Sequence, residues 1–176
     1  MSVYHHIKFH KVDQELESSI ADSIYIQPPC QAKNGCIIPC RFDMALLDSE
    51  KKNQTGIQAL HVAQIQVVFC ISHEAAHHLF PHTINVPKHL AYVEWFTLFW
   101  AMPDANYSLN KILRSMMGNS RMSSIVPIHN IVQSIHLIPL VGKNILREWH
   151  SSTILNNCSS FLLNSFSDIH TYCLFN

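Results

Sequence analysis

Apolar and polar residues alternate along several short segments of the chain, and this period of two is typical of half-buried β-strands. The first clear example is residues 20–27, which Pro28-Pro29 ends. Asn34-Gly35 then provides a strong tight-turn signal, and a second apolar segment follows at residues 41–46. The pattern therefore predicts a hairpin built from these two strands.

Two longer apolar runs predict the central strands of a sheet. Residues 60–71 are rich in β-branched side chains, and residues 90–100 form an unbroken aromatic-rich run. Strands that are buried on both faces lack alternation, so both runs suit the middle of a sheet. Between them, Ser72 is placed to cap a short helix over residues 73–79, which Phe80-Pro81 ends.

Shorter apolar runs predict further strands at residues 111–115, 122–126, 134–138, 161–163 and 172–175. Gly118-Asn119 is a turn signal, and residues 127–131 suit a 3₁₀ turn. Ser151-Ser152 is placed to cap a second short helix through Asn156. We interpret His136, which lies between apolar neighbours, as a hydrogen-bonded core side chain.

About nine short strands and two short helices predict a mostly β fold, arranged as a small barrel or sandwich. Residues 1–19 are polar and irregular, and they are predicted to form an N-terminal extension. A single β-rich domain is therefore assigned to residues 20–176.

The composition supports a folded domain without a strong electrostatic preference. Hydrophobic residues make up 48% of the 176 positions, enough for a sizeable core. Lys and Arg together number 12, as do Asp and Glu. This balance removes any overall attraction to nucleic acid or to an anionic membrane.

The sequence predicts an intracellular chain without membrane contact. The first ten residues lack the apolar region of a signal peptide, and the apolar stretch 90–102 is too short to span a bilayer and contains Glu94. The six Cys are therefore expected to be reduced thiols. Cys30, Cys36 and Cys40 do not have the spacing of a zinc knuckle.

One motif resembles catalytic chemistry. His73-Glu74-Ala75-Ala76-His77 matches the pattern in which two imidazoles, one helical turn apart, bind zinc and a Glu acts as general base. A zinc-dependent hydrolase that uses His73, Glu74 and His77 is therefore one hypothesis.

Three observations favour a solvated helix face instead. In a chain with thirteen His a chance match is uncommon but not negligible, and the helix holds barely two turns between Ser72 and Pro81. A catalytic zinc needs a third protein ligand, but the extended motif has Phe80 where it requires Gly and Thr83 where it requires His. His82 is one residue out of step. We therefore predict no catalytic residue, no metal site and no cofactor.

Other polar residues suggest no active site either. Asp22, Asp43 and Asp168 are far apart in sequence, and we interpret them as turn formers rather than as a carboxylate set for metal-dependent phosphoryl transfer. The sequence lacks the glycine-rich loops that bind phosphates.

The residues proposed as a partner surface are Trp95, Lys111, Arg114 and Arg121. The three basic residues form the one modest cationic cluster in the sequence. The aromatic run favours core packing, and either Trp95 or Trp100 is expected to be the exposed indole because strand residues alternate between faces.

Eight segments are distinctive in residues and in order. They are Ile20-Ala21-Asp22-Ser23-Ile24-Tyr25-Ile26-Gln27-Pro28, Arg41-Phe42-Asp43, Val62-Ala63-Gln64-Ile65-Gln66-Val67-Val68-Phe69, Pro87-Lys88-His89-Leu90-Ala91-Tyr92-Val93-Glu94-Trp95-Phe96, Ser124-Ile125-Val126-Pro127-Ile128, Ser134-Ile135-His136-Leu137-Ile138-Pro139, Trp149-His150-Ser151-Ser152 and Asn164-Ser165-Phe166-Ser167-Asp168-Ile169-His170-Thr171-Tyr172. Together they resemble the C-terminal region of the Plavaka-type transposases of mushroom-forming fungi. The resemblance runs from about Val3 onward, and residues 87–96 are its most specific stretch.

The resemblance implies a non-catalytic accessory domain. In that family the zinc-finger region and the nuclease-like core lie upstream of the region that this chain resembles. The C-terminal region is β-rich and similar to bromo-adjacent-homology or SH3-like barrels, which bind chromatin proteins or peptides. A protein or chromatin partner and a nuclear location are the expectations that follow from this analogy.

The chain also departs from the family pattern. Ile131-Val132-Gln133 stands where the family usually carries basic residues, and Leu140-Val141-Gly142 replaces a more basic element. Asp168-Ile169-His170 replaces an Asp-Arg-His-like turn. Each lost Lys or Arg removes a phosphate contact, so weak or no nucleic-acid binding is expected. These departures favour a truncated or relic transposon-derived chain.

Overall fold

The computed structural model describes residues 2–13, 18–49, 56–81, 85–100, 102–141, 149 and 153–175, with backbone only at residues 10–13 and 18–20. These residues are mostly β, as the sequence predicts. They also contain three α-helices rather than two, and many of the strands are only two or three residues long.

In chain order the strands are β1 (Ser2–Tyr4), β2 (His6–Asp13), β3 (Ser18–Gln27), β4 (Cys30–Gln31), β5 (Ile37–Ile38), β6 (Arg41–Phe42), β7 (Met44–Asp48), β8 (Leu60–Cys70), β9 (His89–Trp95), β10 (Lys111–Leu113), β11 (Met116–Met117), β12 (Ser120–Arg121), β13 (Ser123–Pro127), β14 (Ile131–Ile135), β15 (Leu137–Pro139) and β16 (Ser160–Leu163). The helices are α1 (His73–Leu79), α2 (Ile154–Asn157) and α3 (Ile169–Phe175), and 3₁₀ turns lie at Gly56–Ala59 and Ile128–Asn130.

A six-stranded antiparallel sheet forms the centre of the fold. Its strands follow the order β13-β9-β8-β7-β14. The long strand β8 pairs with β9 on one side, and its other side is shared between β7 and β1. The described strands form no closed barrel, so the barrel alternative is wrong for this part of the chain. Smaller sheets, β2-β3-β6 and β10-β16-β15, accompany the central one.

The central sheet is buried on both faces. Along β7, Met44 and Leu46 belong to one core cluster, whereas Ala45 and Leu47 belong to the other. One cluster includes side chains from β10, β15 and β16, and the other includes side chains from β3. Because both faces are covered, the middle strands read as continuous apolar runs rather than as alternating ones.

The N-terminal segment belongs to this fold, which corrects the predicted irregular extension at residues 1–19. β2 pairs with β3 from His6↔Tyr25 to Asp13↔Ser18, and β1 pairs with the end of β8. Ile7 and Phe9 pack against the core cluster that includes β3. A domain boundary at residue 20 would therefore cut through a hairpin.

The predicted hairpin of residues 20–27 and 41–46 is confirmed only at its end. β3 pairs with β6 through Ile26↔Phe42 and Gln27↔Arg41, and β7 joins the central sheet instead. Asn34-Gly35 closes a separate small hairpin between β4 and β5, where Gly35 has a φ of 82°. Gly is suited to this position because a side chain is strained at positive φ.

Two predictions near the ends of apolar runs are wrong. The aromatic strand β9 ends at Trp95 and does not continue to residue 100, although Phe96 still forms a single bridge with Arg114. Residues 172–175 lie in α3 rather than in a strand, and the backbone N–H of Thr171 donates to the Asp168 carboxylate at 2.9 Å. A short apolar run does not distinguish strand from helix by period, so the N-terminal cap decides.

The second predicted helix is confirmed as α2. Its proposed cap, Ser151-Ser152, lies outside the described residues, as does His82 in the region after α1.

Candidate functional site

Helix α1 carries the His-Glu-x-x-His motif and has the bounds that the sequence predicts. The hydroxyl of Ser72 accepts a hydrogen bond from the N–H of Ala75 at 3.3 Å, and the helix ends at Phe80. The helix has seven residues, none of them buried. It therefore lies on the surface and does not line a closed cleft.

The two histidines of the motif are in direct contact. The Nε2 atoms of His73 and His77 lie 3.0 Å apart, and the ring centroids are separated by 4.1 Å. His73, Glu74 and His77 are all exposed. Among the described residues, no group of three or more His, Cys, Asp and Glu side chains is placed to hold a metal ion. The described part of the motif therefore offers two ligands where a catalytic zinc uses three.

The four residues predicted as a partner surface do not form one exposed patch. Arg114 is only 8% exposed, and Trp95, Lys111 and Arg121 are half-buried. The assignment of Arg114 to a surface is therefore corrected. Arg114 forms a bridge with Phe96, directly after the end of β9, and it is buried there.

Arg114 and Arg121 share the carboxylate of Glu94. Arg121 donates to Glu94 Oε2 at 2.7 Å, and Nη1 of Arg114 lies 3.8 Å from the same oxygen. Arg121 also donates to the carbonyl of Asn156 at 2.7 Å, and Arg114 donates to the carbonyl of Leu155. Cations are favourable beside the last carbonyls of a helix, so the cluster fastens α2 to the sheet.

The guanidinium of Arg114 lies over aromatic rings. Its central carbon is 4.5 Å from the Phe96 ring centroid and 5.6 Å from that of Phe161. Burial and the nearby charge of Arg121 lower the pKa of Arg114 to about 10, although Glu94 opposes this shift. The side chain is still cationic at neutral pH, and its contacts are those of a structural residue.

Trp95 is also used within the fold. Its indole N–H donates to the hydroxyl of Ser124 at 2.8 Å, and its ring stacks on His61 with centroids 4.5 Å apart. Trp100, in contrast, is 57% exposed. Of the two indoles considered from the sequence, Trp100 is therefore the exposed one.

The three aspartates that the sequence suggests as turn formers make specific contacts. Asp22 lies on β3 and accepts hydrogen bonds from the N–H and the hydroxyl of Ser134, both at 2.7 Å. Asp43 accepts hydrogen bonds from Arg41 and from the N–H of Tyr25. The sequence interpretation missed the contacts with Ser134 and Tyr25 because these two partners lie far away in sequence, on other strands.

Asp168 caps α3. Its carboxylate accepts hydrogen bonds from the N–H of Thr171 at 2.9 Å, from the Thr171 hydroxyl at 2.6 Å and from the Ser167 hydroxyl at 3.0 Å. Partial burial raises the pKa of Asp168, but these hydrogen bonds outweigh it, and the net pKa is lowered. The carboxylate is therefore held ionised as a cap, which differs from the raised pKa of a general acid.

A cleft of about 570 Å³ lies beside these aspartates. Its lining includes Asp43, Ser134, His136 and Asp168. His136 is exposed in this cleft and is hydrogen-bonded to the Asn164 amide at 3.3 Å, which corrects its assignment to the core. Asp43 and Asp168 are both engaged with neighbouring groups, so the cleft does not present a set of free carboxylates.

No disulfide joins any of the six cysteines, all of which lie within the described residues. Cys158 is buried and contacts the carbonyls of Leu140 and Ser160, whereas Cys30, Cys36 and Cys173 are exposed. None of the described cysteines belongs to a group that could hold a metal ion.

A group of exposed apolar side chains lies on and beside the β11–β12 hairpin. We call it the methionine surface, and it consists of Leu98, Met116, Met117, Met122 and Ile125, which are 45%, 53%, 73%, 46% and 59% exposed. Three of these side chains belong to the hairpin or follow it directly. Leu98, Met122 and Ile125 also line a shallow cleft of about 520 Å³.

None of the helices in the described part of the chain has the length and apolar character that crossing a bilayer requires. Comparison with known proteins found no match to a protein-family model, to a curated protein sequence or to a solved structure.

Proposed function

We propose that this chain is a non-catalytic accessory domain of a transposase-like protein, with a role in protein contact within the nucleus. The proposal joins the ordered resemblance to the C-terminal region of Plavaka-type transposases with the way in which the resembling segments are used in the fold. In this proposal the chain derives from a transposon.

One observation supports the proposal. Distinctive polar residues of the resembling segments bind one another across the fold, including residues that line the cleft beside Asp43 and Asp168. Four contacts each join two different segments: Asp22 with Ser134 at 2.7 Å, Asp43 with the N–H of Tyr25 at 2.9 Å, Trp95 with Ser124 at 2.8 Å and Asn164 with His136 at 3.3 Å. In this proposal the segments resemble the family because their polar residues hold the same fold together.

Protein is favoured over nucleic acid as the partner. Nucleic-acid affinity comes largely from cations that neutralise phosphates. Here the formal net charge is zero, and Arg114 and Arg121 are occupied by Glu94 and by main-chain carbonyls. The methionine surface instead offers flexible apolar side chains, which suit contact with another protein.

The partner in this proposal is the nuclease-like core of a Plavaka-type transposase, which contacts the methionine surface through apolar side chains. The test is a calorimetric titration of that core, expressed as a separate chain, with the full chain described here. We expect saturable binding that Met122→Glu weakens about tenfold or more, since a charge would have to enter an apolar contact.

Met102→Glu is the matched control. Met102 is 76% exposed but does not line the cleft beside the hairpin, so this variant is expected to bind as the wild type does. Wild-type chain that unfolds cooperatively yet does not bind the core would contradict the proposal. Equal losses for both variants would contradict the assigned surface.

Two further measurements separate this proposal from the other candidate functions. Stoichiometric zinc in untagged protein, with peptide hydrolysis that Glu74→Gln abolishes, would favour the hydrolase instead. DNA binding that weakens steeply with added salt would favour a nucleic-acid partner.

A further inference from the structure

We propose that Asn34 is a site of spontaneous covalent modification, in which its side-chain amide cyclises with the backbone nitrogen of Gly35 and is then hydrolysed to a carboxylate. The site lies in the turn of the β4–β5 hairpin. This inference goes beyond the proposed function and does not depend on it.

The residue after Asn34 presents an unhindered backbone nitrogen. Gly35 has a φ of 82°, and a Cβ at this position would meet no heavy atom within 4 Å. Asn34 and Gly35 are both exposed. Because Gly has no side chain, nothing at Gly35 blocks the approach of its nitrogen to the amide carbon of Asn34.

The side-chain amide of Asn34 is polarised for this attack. Its Oδ1 accepts a hydrogen bond from the backbone N–H of Cys36 at 3.1 Å. When the nitrogen of Gly35 adds to Cγ of Asn34, negative charge develops on this same oxygen, and a donor that already points at the oxygen stabilises that charge. The reacting groups belong to neighbouring residues, so the attack is intramolecular and needs no encounter between molecules.

The hairpin has to open locally before the reaction, because the N–H of Gly35 donates to the carbonyl of Ala32 at 2.9 Å. Each strand of this hairpin has two residues, and within the described part of the chain the hairpin is a sheet of its own. Ile37 and Ile38 are 78% and 40% exposed, so β5 has little contact with the core. A short, exposed two-stranded hairpin has a low free energy of local opening.

The reaction consumes only water. Hydroxide removes the proton from the N–H of Gly35, the nitrogen forms a bond to Cγ of Asn34, and the bond from Cγ to Nδ2 breaks. The leaving nitrogen takes a proton from water and departs as ammonia, which regenerates hydroxide. Water then opens the succinimide ring. Cleavage at Cγ gives aspartate, whereas cleavage at the main-chain carbonyl carbon gives isoaspartate.

Both products change the hairpin. Each carries a carboxylate where the chain had a neutral amide, so the formal net charge changes from zero to negative. Isoaspartate also adds a carbon atom to the main chain inside the turn. We expect this longer turn to weaken the pairing of β4 with β5.

Peptide mapping by mass spectrometry tests the proposal on the full chain. The protein is incubated at mildly alkaline pH and physiological temperature, and samples are then digested under mildly acidic conditions. The fragment that contains Asn34 should yield aspartate and isoaspartate forms together, because both arise from one succinimide. Direct hydrolysis of the amide would give aspartate alone.

Two other asparagines are internal controls in the same samples. Asn119 is also exposed in a hairpin turn, but Ser120 follows it. Asn164 accepts a similar hydrogen bond from the N–H of Phe166 at 3.2 Å, but the residue after it is the buried Ser165. Asn34 should react about tenfold faster than either, since only its neighbour lacks a side chain.

Two variants test the role of the glycine. Gly35→Ala should slow the reaction of Asn34 by about tenfold, because a Cβ then hinders the attacking nitrogen. Lys33→Ala is the matched control, since Lys33 is exposed on the other side of Asn34 and takes no part in the reaction. It should react at the wild-type rate.

Equal rates at Asn34 and Asn119 in the wild type would overturn the proposal, and this comparison does not depend on how well Gly35→Ala folds. Formation of aspartate without isoaspartate would also overturn it, because no succinimide would then be involved. So would an unchanged rate in Gly35→Ala.

Discussion

The carboxylate of Asp22 accepts two hydrogen bonds from Ser134, one from the backbone N–H and one from the hydroxyl, both at 2.7 Å. The two residues are 112 positions apart. Asp22 lies on β3, and Ser134 lies on β14 at the edge of the central sheet. This contact therefore fastens the smaller N-terminal sheet to the main one.

Replacing Asp22 with Ala should lower the free energy of unfolding by about 2 kcal/mol, because charge-assisted hydrogen bonds at a half-buried site contribute more than neutral surface bonds. Asp22→Asn should cost less, since one acceptor oxygen remains. Denaturant unfolding at neutral pH measures both values. Asp104→Ala is the control, because Asp104 accepts a local bond from the N–H of Asn106 in an exposed turn. Equal losses at Asp22 and Asp104 would refute the role of the long-range contact.

Glu94→Gln should destabilise the fold by about 2–4 kcal/mol, because it leaves two neighbouring guanidinium groups without their shared carboxylate. Adding Arg121→Gln should restore part of this loss, since one of the two like charges is removed. A double-mutant cycle by denaturant unfolding should give a coupling energy of about 1–3 kcal/mol between Glu94 and Arg121. The matched control pairs Glu74→Gln with Arg121→Gln, because Glu74 is exposed on α1. Additive effects in the Glu94 cycle would show that the ion pair contributes nothing beyond its single residues.

Asp168→Ala should lower the free energy of unfolding by about 1–2 kcal/mol at neutral pH, because α3 loses its N-terminal cap. The pKa of Asp168 in the folded state is lowered from its ordinary value of 3.8 by hydrogen bonds to Thr171 and Ser167. Its stabilisation is therefore present above the unfolded pKa and is lost as the pH falls through the folded pKa. Thermal unfolding should show that the difference in unfolding temperature between the wild type and Asp168→Ala becomes smaller as the pH falls from 7 to below about 4.

Asp168→Asn serves as the control for charge. It keeps an acceptor for the Thr171 N–H, so it should be more stable than Asp168→Ala at neutral pH and should show less pH dependence. If the difference in unfolding temperature between the wild type and Asp168→Ala were constant across this pH range, the assigned role of the ionised carboxylate would be contradicted.

The sequence correctly predicted those elements that depend only on residues close together in the chain. Ser72 caps α1 and Phe80 ends it, as the sequence predicts, because a cap needs only residues within one turn. The apolar β-branched run became β8, and Gly118-Asn119 closes the β11–β12 hairpin with Gly118 at a φ of 63°. In these cases the responsible groups are neighbours in sequence.

Local patterns failed where a distant partner decided the outcome. β2 is polar enough to resemble an extension, yet it pairs along its length with β3. Arg114 looks like a surface cation in the sequence, but Phe96, Phe161 and Glu94 surround it in the fold. Strand pairing and burial depend on contacts with residues far away in the chain, and a single sequence does not show which distant residues are in contact.

By itself, the sequence determined the mostly β class, the central apolar strands, the short capped helix α1 and its pair of histidines one turn apart. Only the tertiary structure decided that the described strands form no closed barrel, that Asp22 binds Ser134 and that Arg114 is buried. The physical reason is range: hydrophobic period, caps and tight turns act within a few residues, whereas strand order and the pairing of charges depend on which distant segments pack together.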